Sequence, residues 1–160
     1  MNNQDFHFRI IKARVAEAII KELFQINGYT VFEYGMERTM PNILGKIKDR
    51  DADIAKSIRA MPDFVVQNTK NGKLDYVEVK YRKNGEFGLG DLLVHYPYKN
   101  AIFIIVSKEK IQVCTFKQLN EGHYLSEKAQ DLIDSNLFDL NPNSVLKYIG
   151  YVQSFFKDIE

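Results

Sequence analysis

The sequence predicts an α/β domain built on a mixed sheet, and three observations lead there. A long opening segment without Gly or Pro carries apolar residues at helical spacing, several later runs of five to eight residues alternate or are β-branched, and a Pro-started apolar segment closes the chain. The order is helix, strand, charged insert, two strands, short helix, two strands and a helical end, which departs from a repeating strand-helix-strand alternation. The 160 residues, 45% hydrophobic and 27% charged, suit one domain with a real core.

Residues 5–26 form the clearest helix, with Asp5 as its N-cap and Asn27-Gly28 as its stop. Its apolar side chains cover most of the circumference and leave a polar wedge at Arg14, Lys21 and Gln25, with Glu17 half buried at the wedge's edge. Residues 29–34 (YTVFEY) read as a strand, and residues 42–60 as a charged helix or mobile segment starting after Pro41. Two strands over residues 63–67 and 74–82 flank Asn71-Gly72, the strongest short-range hairpin signal. Residues 85–96 read as a glycine-opened short helix, 101–107 as a strand covered on both faces, and 110–116 as a further strand. One or two helices follow, the last beginning near Pro142.

Composition excludes several function classes. No stretch approaches 18 uninterrupted apolar residues, the N-terminus is charged where a signal peptide is apolar, and Cys114 is the single cysteine. These point to a cytoplasmic protein with no membrane association. The net charge of +1 argues against binding nucleic acid through bulk basicity. It is unevenly spread, however: residues 1–118 carry 19 basic and 14 acidic side chains, and residues 119–160 carry 3 and 7. Lys56, Arg59 and Arg82 are the candidate phosphate contacts within the basic part.

The chemistry-bearing residues lie on the hairpin. Met61-Pro62-Asp63 opens its first strand and Glu78-Val79-Lys80 lies in its second, where alternation puts Glu78, Lys80 and Arg82 on one face and Val77, Val79 and Tyr81 on the other. With Asn71-Gly72 as a two-residue turn, Asp63 sits opposite Lys80 and diagonal to Glu78, at roughly 7–8 Å between backbone positions. Two carboxylates held that close repel each other, and oxygen-only ligation suits Mg²⁺, with Mn²⁺ as a substitute. Lys80 can hold a metal-bound water or stabilise charge on an attacked phosphate. Zinc is disfavoured, since there is no CxxC, no HExxH and no His pair at ligand spacing.

Pro62-Asp63 followed by Glu78-x-Lys80, on a hairpin after a helix bearing Glu17, resembles the PD-(D/E)XK nuclease superfamily, which includes restriction endonucleases and Holliday-junction resolvases. The resemblance covers roughly residues 5–116, with 117–160 as a C-terminal helical extension of the same domain. It implies a core of helix, three-stranded meander, helix and strand. It also implies that Asp63 and Glu78 bind divalent metal, that Lys80 positions the attacking water, and that Glu17 completes the metal shell directly or through water. The function so implied is a Mg²⁺-dependent endonuclease acting on nucleic acid, DNA before RNA. The alternative is a nucleic-acid-binding or assembly module that keeps the fold without turnover. Glu17 also has a plain reading, as a surface acid paired with Lys21 one turn on. Relatives that cut both strands commonly dimerise, which points to a homodimer through Tyr148, Tyr151, Phe155 and Phe156.

Overall fold

Residues 3–35, 46–49, 52–122 and 129–158 are described by the computed structural model. Helix α1 (Asn3–Ile26) begins ahead of Asp5, which therefore lies in its first turn instead of capping it. Ala16, Ile19, Ile20, Leu23 and Phe24 are buried, whereas Ile11 and Ile26 are more than half exposed, so the helix buries one broad face and not its whole circumference. It stops where expected. Gly28 takes φ +82°, and its N–H donates to the Gln25 carbonyl at 3.1 Å, a left-handed cap that a side chain would strain.

The strands are β1 (Tyr29–Glu33), β2 (Phe64–Asn68), β3 (Leu74–Tyr81), β4 (Ile102–Val106), β5 (Ile111–Thr115) and β6 (Gln130–Asp131). They form one six-stranded sheet in sequential order, with β3 and β4 parallel and every other neighbouring pair antiparallel. Helix α2 (Asp53–Arg59) leads into β2; the rest of the expected 42–60 segment is described only at residues 46–49, 52 and 60. Helix α3 (Phe116–Asn120) follows β5 behind a Thr115 cap, and α4 (Pro142–Phe156) starts behind Asn141, whose side chain accepts from the Asn143 N–H at 2.9 Å.

Each face of the sheet has its own apolar layer. Phe64, Val66, Val77, Val79 and Ile104 pack with α1 and α4. Phe103, Ile105 and Cys114 face the other way, against Phe87, Tyr96, Ala60 and Leu119. Strand β4 is buried at every position, which explains its continuous apolar run. The last quarter of the chain is no appendage to a core ending near residue 116. Val145, Val152 and Phe156 of α4 belong to the main core, and Phe156 stacks on Tyr81 with ring centroids 4.4 Å apart. Tyr148 and Phe156 are consequently buried within the single chain, which removes them from the proposed dimer surface; Tyr151 and Phe155 remain exposed.

Two further sequence expectations fail. Residues 85–96 form no α-helix but a loop with a single 3₁₀ turn at Leu89–Asp91. Three glycines in six residues each cost roughly 1 kcal/mol in a helix; Gly85 adopts φ +76°, and the Asp91 carboxylate accepts from the Gly88 N–H at 2.8 Å. The hairpin turn also differs. Asn68 N–H donates to the Lys73 carbonyl and Gly72 N–H to the Asn68 carbonyl, at 2.9 and 2.8 Å, which closes a four-residue loop. A two-residue type I′ turn needs positive φ at both central positions, but only Gly72 (φ +73°) has it and Asn71 does not. Among the described residues, no helix is long and apolar enough to cross a membrane.

Candidate metal centre

The longer turn moves the β2–β3 register by two residues from the expected one. Phe64 pairs with Val77 and Val65 with Tyr76. A shift of two leaves every side chain on its predicted face, so the outcome is a closer pair. Continued one step beyond Phe64–Val77, this register sets Asp63 across from Glu78 and not across from Lys80. Directly opposed side chains have Cβ atoms about 4.5–5.5 Å apart, against roughly 7–8 Å on the expected diagonal. The Val79 N–H donates to Asp63 Oδ2 at 2.8 Å and fixes that carboxylate against β3.

Glu78 is buried, with 8% exposure. Its Oε1 accepts from the Lys80 ammonium, whereas Oε2 is buried with no hydrogen-bond partner. Burial, and then the charges of Glu78 and Glu17, raise the Asp63 carboxyl well above the usual aspartate range, against the opposing pull of Lys80 and the Val79 N–H. Burial likewise raises Glu78; Lys80 opposes this and Glu17 adds to it. For Lys80, burial alone would lower the ammonium pKa, but the Glu78 and Asp63 charges outweigh it and hold it above the ordinary lysine value. Lys80 is thus a fixed positive charge that partly occupies the role a cation would take.

A divalent ion fits this donor set. The opposed carboxylates supply hard oxygen ligands, the orphaned Oε2 has a lone pair to offer, and the charge of the pair is disfavoured where it stands. Glu17 is half buried on α1, and α1 packs on the face of Val77 and Val79, opposite to the carboxylate pair. Its charge reaches both carboxylates, yet among the described residues no group of three His, Cys, Asp or Glu side chains is arranged to hold a metal. Glu17 is thus electrostatically coupled to the pair. The plain pairing of Glu17 with Lys21 is not the whole account of that lysine, which bonds Glu33 at 2.8 Å.

The candidate phosphate contacts fare unequally. Arg82 donates to the Tyr81 carbonyl at 3.1 Å, lies 3.7 Å from Asp91 and sits over the Phe87 ring at 5.4 Å, so it braces the start of the 82–101 connection. Lys56 and Arg59 are exposed on α2, and Lys56 makes only a loose 4.0 Å pair with Asp53. Two groups of residues escaped the sequence reading. Lys83, Lys108 and Lys110 line a cavity of about 490 Å³ with Asn84, Ser107 and Glu109, where the parallel strands β3 and β4 end. Tyr34, Tyr76 and Tyr98 pack together with centroids 5.3–6.4 Å apart beside the carboxylates. The aromatic spacing had no local periodicity to reveal it, because the three rings come from three separate segments.

No family model, no curated protein and no solved structure matches this chain.

Proposed function

We propose that the protein is a divalent-metal-dependent nuclease that hydrolyses phosphodiester bonds, DNA before RNA, on a restriction-endonuclease-like core. The observation that carries the reading is the Asp63–Glu78 pair: two opposed carboxylates, Glu78 buried and Asp63 half-buried, with raised pKa values, an unpartnered oxygen, and a lysine alongside. The antiparallel meander β1–β2–β3 after α1, followed by a parallel β4, is compatible with that core. The helix that this core carries between β3 and β4 is replaced by a loop, a departure from it.

In this reading Asp63 and Glu78 hold Mg²⁺ or Mn²⁺. A divalent ion there supplies Lewis acidity and a water of lowered pKa. The chain's own part is orientation and charge. Val79 N–H keeps Asp63 turned toward β3, and the rigid hairpin sets the separation of the two carboxylates. Lys80 hydrogen-bonds the attacking water and stabilises negative charge that develops on the phosphate. Glu17 acts through solvent. The exposed Lys56 and Arg59 and the lysines beyond β3 attract the nucleic-acid backbone.

The deciding experiment is a cleavage panel of linear duplex, single-stranded, flapped and four-way DNA, plus RNA, in Mg²⁺ and in Mn²⁺, with Glu78→Ala and Lys80→Ala as controls. Metal-dependent cleavage that both variants lose is the expected result. Absence of cleavage on every substrate, or activity that survives both substitutions, would refute the reading.

A further inference from the structure

The geometry points to Tyr96 as a phosphate-orienting residue of this site: its hydroxyl donates a hydrogen bond to a non-bridging oxygen of the phosphodiester held at Asp63 and Glu78. This rests on the nuclease reading above and adds a group to it from a part of the chain that carries no motif.

Ring contacts place Tyr96 over the carboxylates. Glu78 has Phe103 beside it on β4 and Tyr76 two residues before it on the same face. The Tyr96 ring lies 5.7 Å from that of Phe103, and the Tyr98 ring 5.3 Å from that of Tyr76. Residues 96–98 therefore roof the position of Glu78. The ring of Tyr96 is also held by Phe116, stacked at 6.1 Å, so the direction of its hydroxyl is fixed.

That hydroxyl is buried without a hydrogen-bond partner, in a residue only 6% exposed. The charges of Glu78 and Asp63 both act on it and, after burial, are the largest causes that raise its pKa, so it keeps its proton and remains a donor. Tyr96 Oη and Glu78 Oε2 are both buried and unpartnered, and Tyr96 packs on Phe103, the β4 neighbour of Glu78. Packing alone does not account for the hydroxyl, since phenylalanine would fill the same apolar surroundings without the cost of an unpaired polar group. The preceding residue supports a functional placement: His95 has φ +60°, the single non-glycine residue with positive φ among those described, and such strain concentrates at functional sites. A neutral donor suits the role, because it adds no charge to compete with the metal for the carboxylates.

The test compares wild type with Tyr96→Phe in three measurements: thermal unfolding without metal, the increase in midpoint on adding Mn²⁺, and steady-state cleavage of the fluorescein-labelled oligonucleotide that wild type cuts best. The expected pattern is an unchanged or raised midpoint, an unchanged Mn²⁺ response, and kcat lower by about 10²-fold with KM within roughly threefold. A kcat within twofold of wild type would leave Tyr96 as packing and overturn the inference alone. A lowered midpoint overturns it too, because the hydroxyl would then have a partner within the protein, and a lost Mn²⁺ response would assign Tyr96 to the metal instead of the phosphate. If wild type cuts nothing, the nuclease reading fails and this inference fails with it.

Discussion

Replacing Asp63 by asparagine should make the metal-free protein more stable, although it removes half of the proposed metal site. Asn keeps the shape and an oxygen that can accept from the Val79 N–H, so the change isolates the charge. The folded-state pKa of Asp63 lies above its unfolded value through burial and the neighbouring Glu78 and Glu17 charges. Such a group contributes stability below the unfolded pKa and loses it as pH rises through the folded value, so at pH 7 the ionised carboxylate opposes folding. Two charges about 5 Å apart at an effective dielectric of 20 repel by roughly 3 kcal/mol, and attraction to Lys80 cancels part of this. A net gain of about 1–2 kcal/mol is expected, or roughly 2–8 °C in midpoint for a chain of this size. Saturating metal reverses the order. At a hundredfold excess over Kd, binding stabilises wild type by about 2.7 kcal/mol, whereas Asp63→Asn should respond weakly. Differential scanning fluorimetry with and without Mn²⁺ reads both effects. A metal-free Asp63→Asn less stable than wild type would refute the electrostatic reasoning, and equal Mn²⁺ shifts in the two proteins would refute the metal assignment.

Three other outcomes follow from the same geometry. Without metal, wild-type stability measured by urea unfolding should rise as pH falls from neutrality into the acid range, because the raised Asp63 and Glu78 carboxyls take up protons first; a profile matching that of Asp63→Asn would contradict this. Lys80→Ala should lower kcat by about 10²–10³-fold and also destabilise the metal-free protein by roughly 3 kcal/mol, since it strands the buried Glu78 charge; retained kcat in an assay run well below the unfolding transition would count against its role. Lys83→Ala combined with Lys108→Ala should weaken oligonucleotide binding and reduce the salt slope of log K by about 1–2, read by fluorescence anisotropy; an unchanged slope would mean that the cavity at the β3 and β4 ends takes no backbone phosphate.

The hairpin shows why the site was legible while its geometry was not. The face of each side chain depends only on parity along the strand, so Glu78 and Lys80 could be placed together, with Phe64 and Val66 inward, from alternation alone. The register depends on the turn, and Asn71-Gly72 is compatible with more than one loop length. Nothing local distinguishes the two-residue turn from the four-residue loop that Asn68 and Lys73 close. The error was even, so it brought Asp63 closer to Glu78 without moving it off the face. Residues 85–96 failed for another reason: their apolar spacing suggested a helix, but Phe87 and Tyr96 are buried by the sheet beneath them, a tertiary demand that needs no helical period. Glu17 was correctly read as half buried, but a helical wheel does not say which face of a sheet the helix will cover.

The topology itself explains why the carboxylate pair is enclosed. Because β4 runs parallel to β3 and begins beside Val77, the chain leaving Tyr81 must travel back along β3 from Tyr81 to Val77 before β4 can begin. One face of the sheet is already taken by α1 and α4, so the return passes over the other, which is the face of Glu78 and Lys80. The 82–101 connection then supplies apolar cover for Phe103 and Ile105. A regular helix would cover the apolar residues too, but it would impose its own spacing on the groups facing the site. The glycine-rich loop with its strained turn at His95 lets Tyr96 be placed independently of its neighbours. On this view the missing helix is the feature that fits the connection to the site, and a loop shortened between Lys83 and Tyr98 should lose cleavage well before it loses the fold.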